Sequence, residues 1–127
     1  MSTIRLSVLV FLAFVLMIHY SCGDKSKNQP CTMEARAGLN ITVRNGLSGV
    51  LLFDSVVVVA TDGAYTETLT AYDASNPIFS GAYEREGNYT ISVNRPRYKP
   101  YTYTSIIVQK DACHVMAQQY TVNLLPN

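Results

Sequence analysis

Few side chains in this sequence have clear chemical potential, and they are scattered. His114 follows Cys113 directly, Glu84 and Glu86 stand two apart, and Arg95, Arg97, Tyr98, Lys99, Tyr101 and Tyr103 interleave cations with tyrosines around Pro96 and Pro100. Two carboxylates and a histidine are raw material for acid–base hydrolysis. Cations set among tyrosines can stack on sugars or meet an anionic polymer, so these six residues form a candidate ligand surface. An extended backbone through Cys113 and His114 would turn the two side chains to opposite faces, so His114 is not expected to activate that thiol. With only two histidines, His19 and His114, a polyhistidine metal site lacks ligands, and the cysteines show no C-x2-C spacing for zinc. Asp54, Asp62 and Asp73 fall near turns, where aspartate usually bonds the local backbone, and no D-x-D-x-D-G loop marks calcium. No Walker glycine loop, G-x-S-x-G elbow or H-E-x-x-H helix occurs. The expectation is a chain without a cofactor or a catalytic site, and the enzyme-class alternative is a small hydrolase using Glu84, Glu86 and His114.

The chain bearing these residues has 127 residues, the size of one small domain, and its 10 Lys+Arg against 9 Asp+Glu leave a charge of +1. That balance offers no basic surface for nucleic acid and no acidic tail for a basic partner. Hydrophobicity is concentrated at the start, where Arg5 precedes residues 6–18 (LSVLVFLAFVLMI). The run is shorter than the roughly 20 residues of a permanent membrane helix and fits the apolar core of a secretory signal. Residues 1–21 therefore read as a signal peptide, entering as a signal helix, and their removal would leave equal numbers of cations and carboxylates.

The next residues, Ser21-Cys22-Gly23-Asp24, resemble the lipobox of bacterial lipoproteins, in which the cysteine is lipidated and becomes the first mature residue. Ser21 and Cys22 match, while His19 stands where that pattern normally has leucine. The resemblance implies a lipid anchor on Cys22 and a place in the bacterial cell envelope. The alternative is cleavage after a small residue such as Gly23, which discards Cys22 and leaves a secreted or periplasmic protein.

With Cys22 lipidated or removed, Cys31 and Cys113 remain as the natural disulfide in an oxidising compartment. Closing so long a loop stabilises a domain by about 4.5 kcal/mol in the chain-entropy picture. Two free buried thiols, or a Cys22–Cys31 bridge that leaves Cys113 unpaired, are the alternatives. Residues 23–30 (GDKSKNQP) are polar and read as a flexible spacer, and residues 32–37 (TMEARA) have the composition for one helical turn. Residues 22–37 thus form a lipidated tether ahead of a domain at 38–127.

Beyond Gly38 the hydrophobic period is two. Leu39, Ile41 and Val43 alternate with polar residues and end at Asn45-Gly46, whose glycine suits a positive-φ turn. Further strands are expected at residues 55–61, 64–72, 78–83, 88–94, 101–109 and 120–124, with Asp62-Gly63 as a hairpin and Tyr89, Ile91 and Val93 on one face. The two prolines at 96 and 100 confine the intervening residues to a loop or edge. No window past Gly38 carries a helical stripe, so the expected fold is all-β, a seven-stranded antiparallel sandwich.

Gly87-Asn88-Tyr89-Thr90-Ile91-Ser92-Val93, the Tyr98-Lys99-Pro100 segment and the Asp62-Gly63-Ala64-Tyr65 hairpin together resemble the carboxypeptidase regulatory-like domains, small sandwiches of transthyretin-like (prealbumin-like) topology found in envelope proteins. The resemblance spans residues 38–125. Where it pairs a glycine with the tyrosine, this chain has Arg97. It implies no catalysis by the module, whose relatives are accessory to separate enzymatic domains. A transthyretin-like hydrolase of hydroxyisourate is excluded, because it needs several histidines and a Tyr-Arg-Gly-Ser terminus, and this chain ends YTVNLLPN. On residue grounds alone, Gly87 is expected at a tight turn, and Tyr89 as a buried ring whose hydroxyl finds a backbone acceptor at a sandwich corner. The partners implied are the membrane, through the anchor, and an envelope protein or polysaccharide. The functional expectation is a non-catalytic envelope lipoprotein with a binding or structural module, and the alternative a carbohydrate- or polymer-binding module using residues 95–103.

Overall fold

The computed structural model describes residues 30–127, of which Cys31–Asn127 form a compact unit. The expected signal segment and Cys22 lie outside the described residues. Seven strands follow in order: β1 (Ala37–Asn45), β2 (Val57–Asp62), β3 (Tyr65–Thr68), β4 (Ile78–Tyr83), β5 (Gly87–Asn94), β6 (Tyr101–Val108) and β7 (Gln118–Leu124). They make a three-stranded sheet, β4-β1-β7, and a four-stranded sheet, β3-β2-β5-β6. Among the described residues there is no helix.

Period-two alternation decides which residues face inward. Leu39, Ile41 and Val43 of β1, Val58 and Ala60 of β2, Tyr89, Ile91 and Val93 of β5, and Val122 and Leu124 of β7 are buried in one core between the sheets. A slip of one residue in any of these strands would exchange this set for the polar one, so the pattern itself fixes the register.

The expectation of a wholly antiparallel sandwich is corrected at one ladder. β1 and β7 run parallel, in register from Leu39↔Gln118 to Asn45↔Leu124, while the other paired strands are antiparallel. Hairpin turns impose antiparallel pairing on strands adjacent in sequence, but β1 and β7 are the first and last, so no turn sets their sense.

Local differences have equally local causes. The third strand stops at Thr68 because Leu69 turns into the core and Thr70 bridges Ser80 on β4, which carries the chain from one sheet to the edge of the other. After β1 the positive φ falls on Gly49 rather than Gly46, and the Asn45 carboxamide oxygen accepts the Leu47 and Ser48 N–H groups at 2.8 and 3.1 Å. Gly63 has the expected positive φ, 58°. Gly87 serves close packing rather than a left-handed turn: a Cβ there would lie 2.5 Å from Asp62 Oδ2 and 2.9 Å from Arg85 Nη1. Residues 32–36 form no helical turn.

Candidate functional site

A disulfide joins Cys31 to Cys113 across 82 residues of sequence and fastens the start of the compact unit to the turn before β7. Cys113 and His114 do not lie in an extended strand as expected. They belong to a bend closed by the Lys110–Val115 bridge, in which Asp111 Oδ1 accepts the N–H groups of Cys113 and His114, each at 2.7 Å. Those two bonds hold the Asp111 carboxyl below its ordinary range.

The bend places His114, 7% exposed, between two partners distant in sequence. Its Nδ1 lies 2.8 Å from Glu84 Oε1, and its Nε2 lies 2.8 Å from the Thr32 hydroxyl. An ionised carboxylate only accepts, so Nδ1 carries the proton, and in the neutral ring Nε2 accepts from Thr32. Glu84 also receives the N–H of Arg36 at 2.8 Å and that of Val115 at 3.3 Å. The Arg36 bond first, then His114, lowers its pKa. A hydroxyl, an imidazole and a carboxylate in a row have the connectivity of an acyl-transfer triad. In this chain, however, the carboxylate and ring bind the backbone and side chain of residues 32–36 and hold that segment against the sandwich beside the disulfide.

Of the hydrolase alternative, the structure brings Glu84 and His114 together but leaves Glu86 elsewhere. Glu86 borders a broad, open depression of about 610 Å³ at the ends of β5 and β6, lined also by Gly87, Asn88 and residues 107–110 and not by His114. Thr32 was not identified from sequence, since nothing local connects it to a histidine 82 residues away.

The six residues proposed as a ligand surface divide into two groups. The loop between β5 and β6 is pinned by the C-terminal residues: Lys99 N–H donates to Leu125 O at 2.9 Å, and Asn127 N–H to Arg97 O at 3.0 Å. Within it, the Arg95 guanidinium lies 4.9 Å from the Tyr98 ring centre and its Nε–H donates to Asp54 O at 3.1 Å, while the Tyr98 hydroxyl accepts from Asn45 Nδ2 at 3.0 Å. Arg95 and Tyr98 are therefore engaged in holding the loop, and Arg97 and Lys99 are exposed. Tyr101 and Tyr103 sit opposite Val93 and Ile91, facing inward from a sheet edge. Tyr101 packs half-buried against the core, whereas Tyr103 is 41% exposed with its ring 5.4 Å from that of Tyr120. Tyr120 joins this group by packing between the two sheets, since β7 and β6 belong to different ones, which is why sequence reasoning missed it.

A third cluster is structural. Arg85 lies 3.9 Å over the Tyr65 ring and pairs with Asp62 at 2.8 Å. Burial, then the hydrogen bond to Glu67, pushes the Tyr65 phenol up to about 12. Asp73 bonds Ser75 locally, as a turn aspartate does.

Among the described residues no group of three His, Cys, Asp or Glu side chains is placed to hold a metal, and no helix is long and apolar enough to cross a membrane. Comparison with protein-family models and with curated proteins found no match.

Proposed function

We propose that the chain is an exported lipoprotein of the bacterial cell envelope, anchored through Cys22, whose single sandwich domain binds or scaffolds and does not catalyse. The observation that carries the reading is the Cys31–Cys113 disulfide behind a secretory-type N-terminal run. Such bonds persist in oxidising compartments. Cys31 follows Cys22 closely in sequence, so an anchor at Cys22 would be joined to the domain through a short polar spacer ending at a covalent staple. The polar network Thr32–His114–Glu84 reinforces that attachment point, which favours a mechanical over a chemical use of these residues.

The resemblance to carboxypeptidase regulatory-like, transthyretin-like domains is supported by the two-sheet sandwich and by one backbone detail. Arg97, standing where that pattern has glycine, has φ 67°, the left-handed conformation for which glycine is the usual choice. A second reading is favoured by the exposed Tyr103 ring beside Tyr120, with Arg97 and Lys99 exposed in the adjoining loop: a binding surface for an envelope polysaccharide or other polymer.

Intact mass of the native protein tests the main reading. Cleavage before Cys22 with added acyl mass is the expected result, and an unlipidated N-terminus beyond Cys22 overturns the anchor. A glycan-array screen tests the second: signal lost on Tyr103→Ala supports it, and silence across the array removes it.

A further inference from the structure

Each sheet of an open sandwich has two edges, and an unpaired edge is a template for another strand unless something blunts it. Three of the four edges here are blunted. The β4 edge is covered by residues 67–70: Ser80 and Thr70 exchange backbone bonds at 2.9 and 3.1 Å, and Ala82 N–H donates to Glu67 Oε2 at 2.7 Å. β3 is only 4 residues long. β6 is broken by a register shift opposite Tyr89 and Ile91 and by Ser105 at φ 65°.

Between Gln118 and Leu124, β7 has none of these devices; only past its end is the edge covered, where Lys99 N–H donates to Leu125 O and Tyr98 bridges Pro126. Its sequence, QQYTVNL, contains no charge, proline or positive-φ residue, and it pairs with β1 in unbroken register. Among the described residues no strand pairs with its other side. Gly46 N–H donates to Leu124 O at 2.8 Å, so the peptide groups of Leu124 turn towards β1. By the period of two, those of Val122 and Tyr120 do the same, and those of Gln119, Thr121 and Asn123 point out of the sheet.

We propose that β7 is a self-association edge, at which a second copy of this chain adds its own β7 antiparallel about a two-fold axis through Thr121. The strand's chemistry is self-complementary in that register and no other centres its outward peptide groups. Thr121 then faces Thr121 as a hydrogen-bonded pair, Gln119 faces Asn123 as amide against amide, and half-buried Tyr120 faces Val122. Thr–Thr and aromatic–β-branched pairs are favourable cross-strand neighbours, and no like charges oppose each other. A two-fold contact of one strand with itself closes at the dimer, so the open edge is consumed without generating a fibre. The exposed rim at Tyr103, against Tyr120, lies beside the added strand and gains cover from it.

The test is sedimentation of the purified full chain, with Cys31–Cys113 oxidised, over a concentration series, together with Thr121→Lys and Thr121→Glu. Thr121 is exposed, so either side chain is tolerated by the isolated fold. The wild type is expected to be a dimer, each variant alone to dissociate with a Kd raised about tenfold or more, and an equimolar mixture of the two to recover dimers. In the wild type, hydrogen exchange at the Thr121 N–H should slow as dimer forms. A wild type that stays monomeric throughout, variants that dimerise undiminished, a mixture that fails to recover, or a Thr121 N–H that remains fast would each overturn the proposal.

Discussion

The Tyr89 hydroxyl closes a ring with Arg85: it accepts from the guanidinium Nη1 at 2.7 Å and donates to the same residue's carbonyl at 3.1 Å. The ring of Tyr89 is fully buried, so this corner ties the core end of β5 to the turn that precedes it. Asp62, on the same Nη1 at 2.8 Å, links the corner to the β2–β3 hairpin. Tyr89→Phe keeps the packed ring and removes both bonds. We expect a loss of about 1–2 kcal/mol in urea unfolding with an unchanged m value. A loss within error would mean that the hydroxyl bonds are replaced by water at no cost.

Arg97 tests whether backbone conformation, rather than side chain, sets the demand at that position. A non-glycine residue in the left-handed region costs about 1–2 kcal/mol, against which glycine adds roughly 0.5–1 kcal/mol of unfolded-state entropy. Arg97→Gly is therefore expected to stabilise the fold by about 0.5–1 kcal/mol. Arg97→Ala retains the positive φ and should change stability by less than about 0.5 kcal/mol. Thermal unfolding of the pair distinguishes the two effects: equal shifts in both variants would assign the effect to the exposed guanidinium.

These positions show how far the chain could be read before it was folded. The alternation of Leu39, Ile41 and Val43, and of Tyr89, Ile91 and Val93, predicted both strands and their buried faces, because a half-buried strand imposes period two on its own residues. The hydroxyl of Tyr89 and the positive φ of Gly63 were readable for the same reason, being settled within a few residues. Relationships without a local cause were not. The parallel pairing of β1 with β7, the reach of His114 to Thr32 and Glu84, and the Tyr103–Tyr120 contact join segments whose patterns are independent of one another. The six-residue Arg/Tyr patch read as one surface because its members are adjacent in sequence. Alternating strand faces and the pinned loop divide it in space.

The Cys31–Cys113 staple is expected to dominate stability in a domain of this size. Replacing both cysteines with serine reopens an 82-residue separation in the unfolded chain and should lower unfolding free energy by about 4.5 kcal/mol, a large part of the roughly 5–15 kcal/mol available to a domain. The same variant frees the segment that Glu84 and His114 hold, so the Arg36 N–H, bonded to Glu84 Oε1, should exchange faster than the N–H groups of β5. If urea unfolding moved by less than about 1 kcal/mol, the disulfide would be incidental to the fold.

Acid should release this same region. Glu84 is held below its ordinary pKa of 4.5 by the Arg36 N–H, then by His114, and Asp111 is held below 3.8 by the N–H groups of His114 and Cys113. A carboxyl whose folded pKa is depressed binds fewer protons in the native state than in the unfolded one. Its stabilising contribution is present in full above the unfolded pKa and is lost as pH falls through the folded value. Stability should therefore be insensitive to these two groups above about pH 5 and decline steadily below about pH 4.5. Glu84→Gln retains an acceptor for Arg36 but cannot ionise, so it should be less stable than wild type at pH 7 and converge with it in acid. Urea unfolding across pH 2–7 reads the difference directly. A gap between the two proteins that stayed constant down to the lowest pH would show that the Glu84 charge adds nothing to the clasp on residues 32–36.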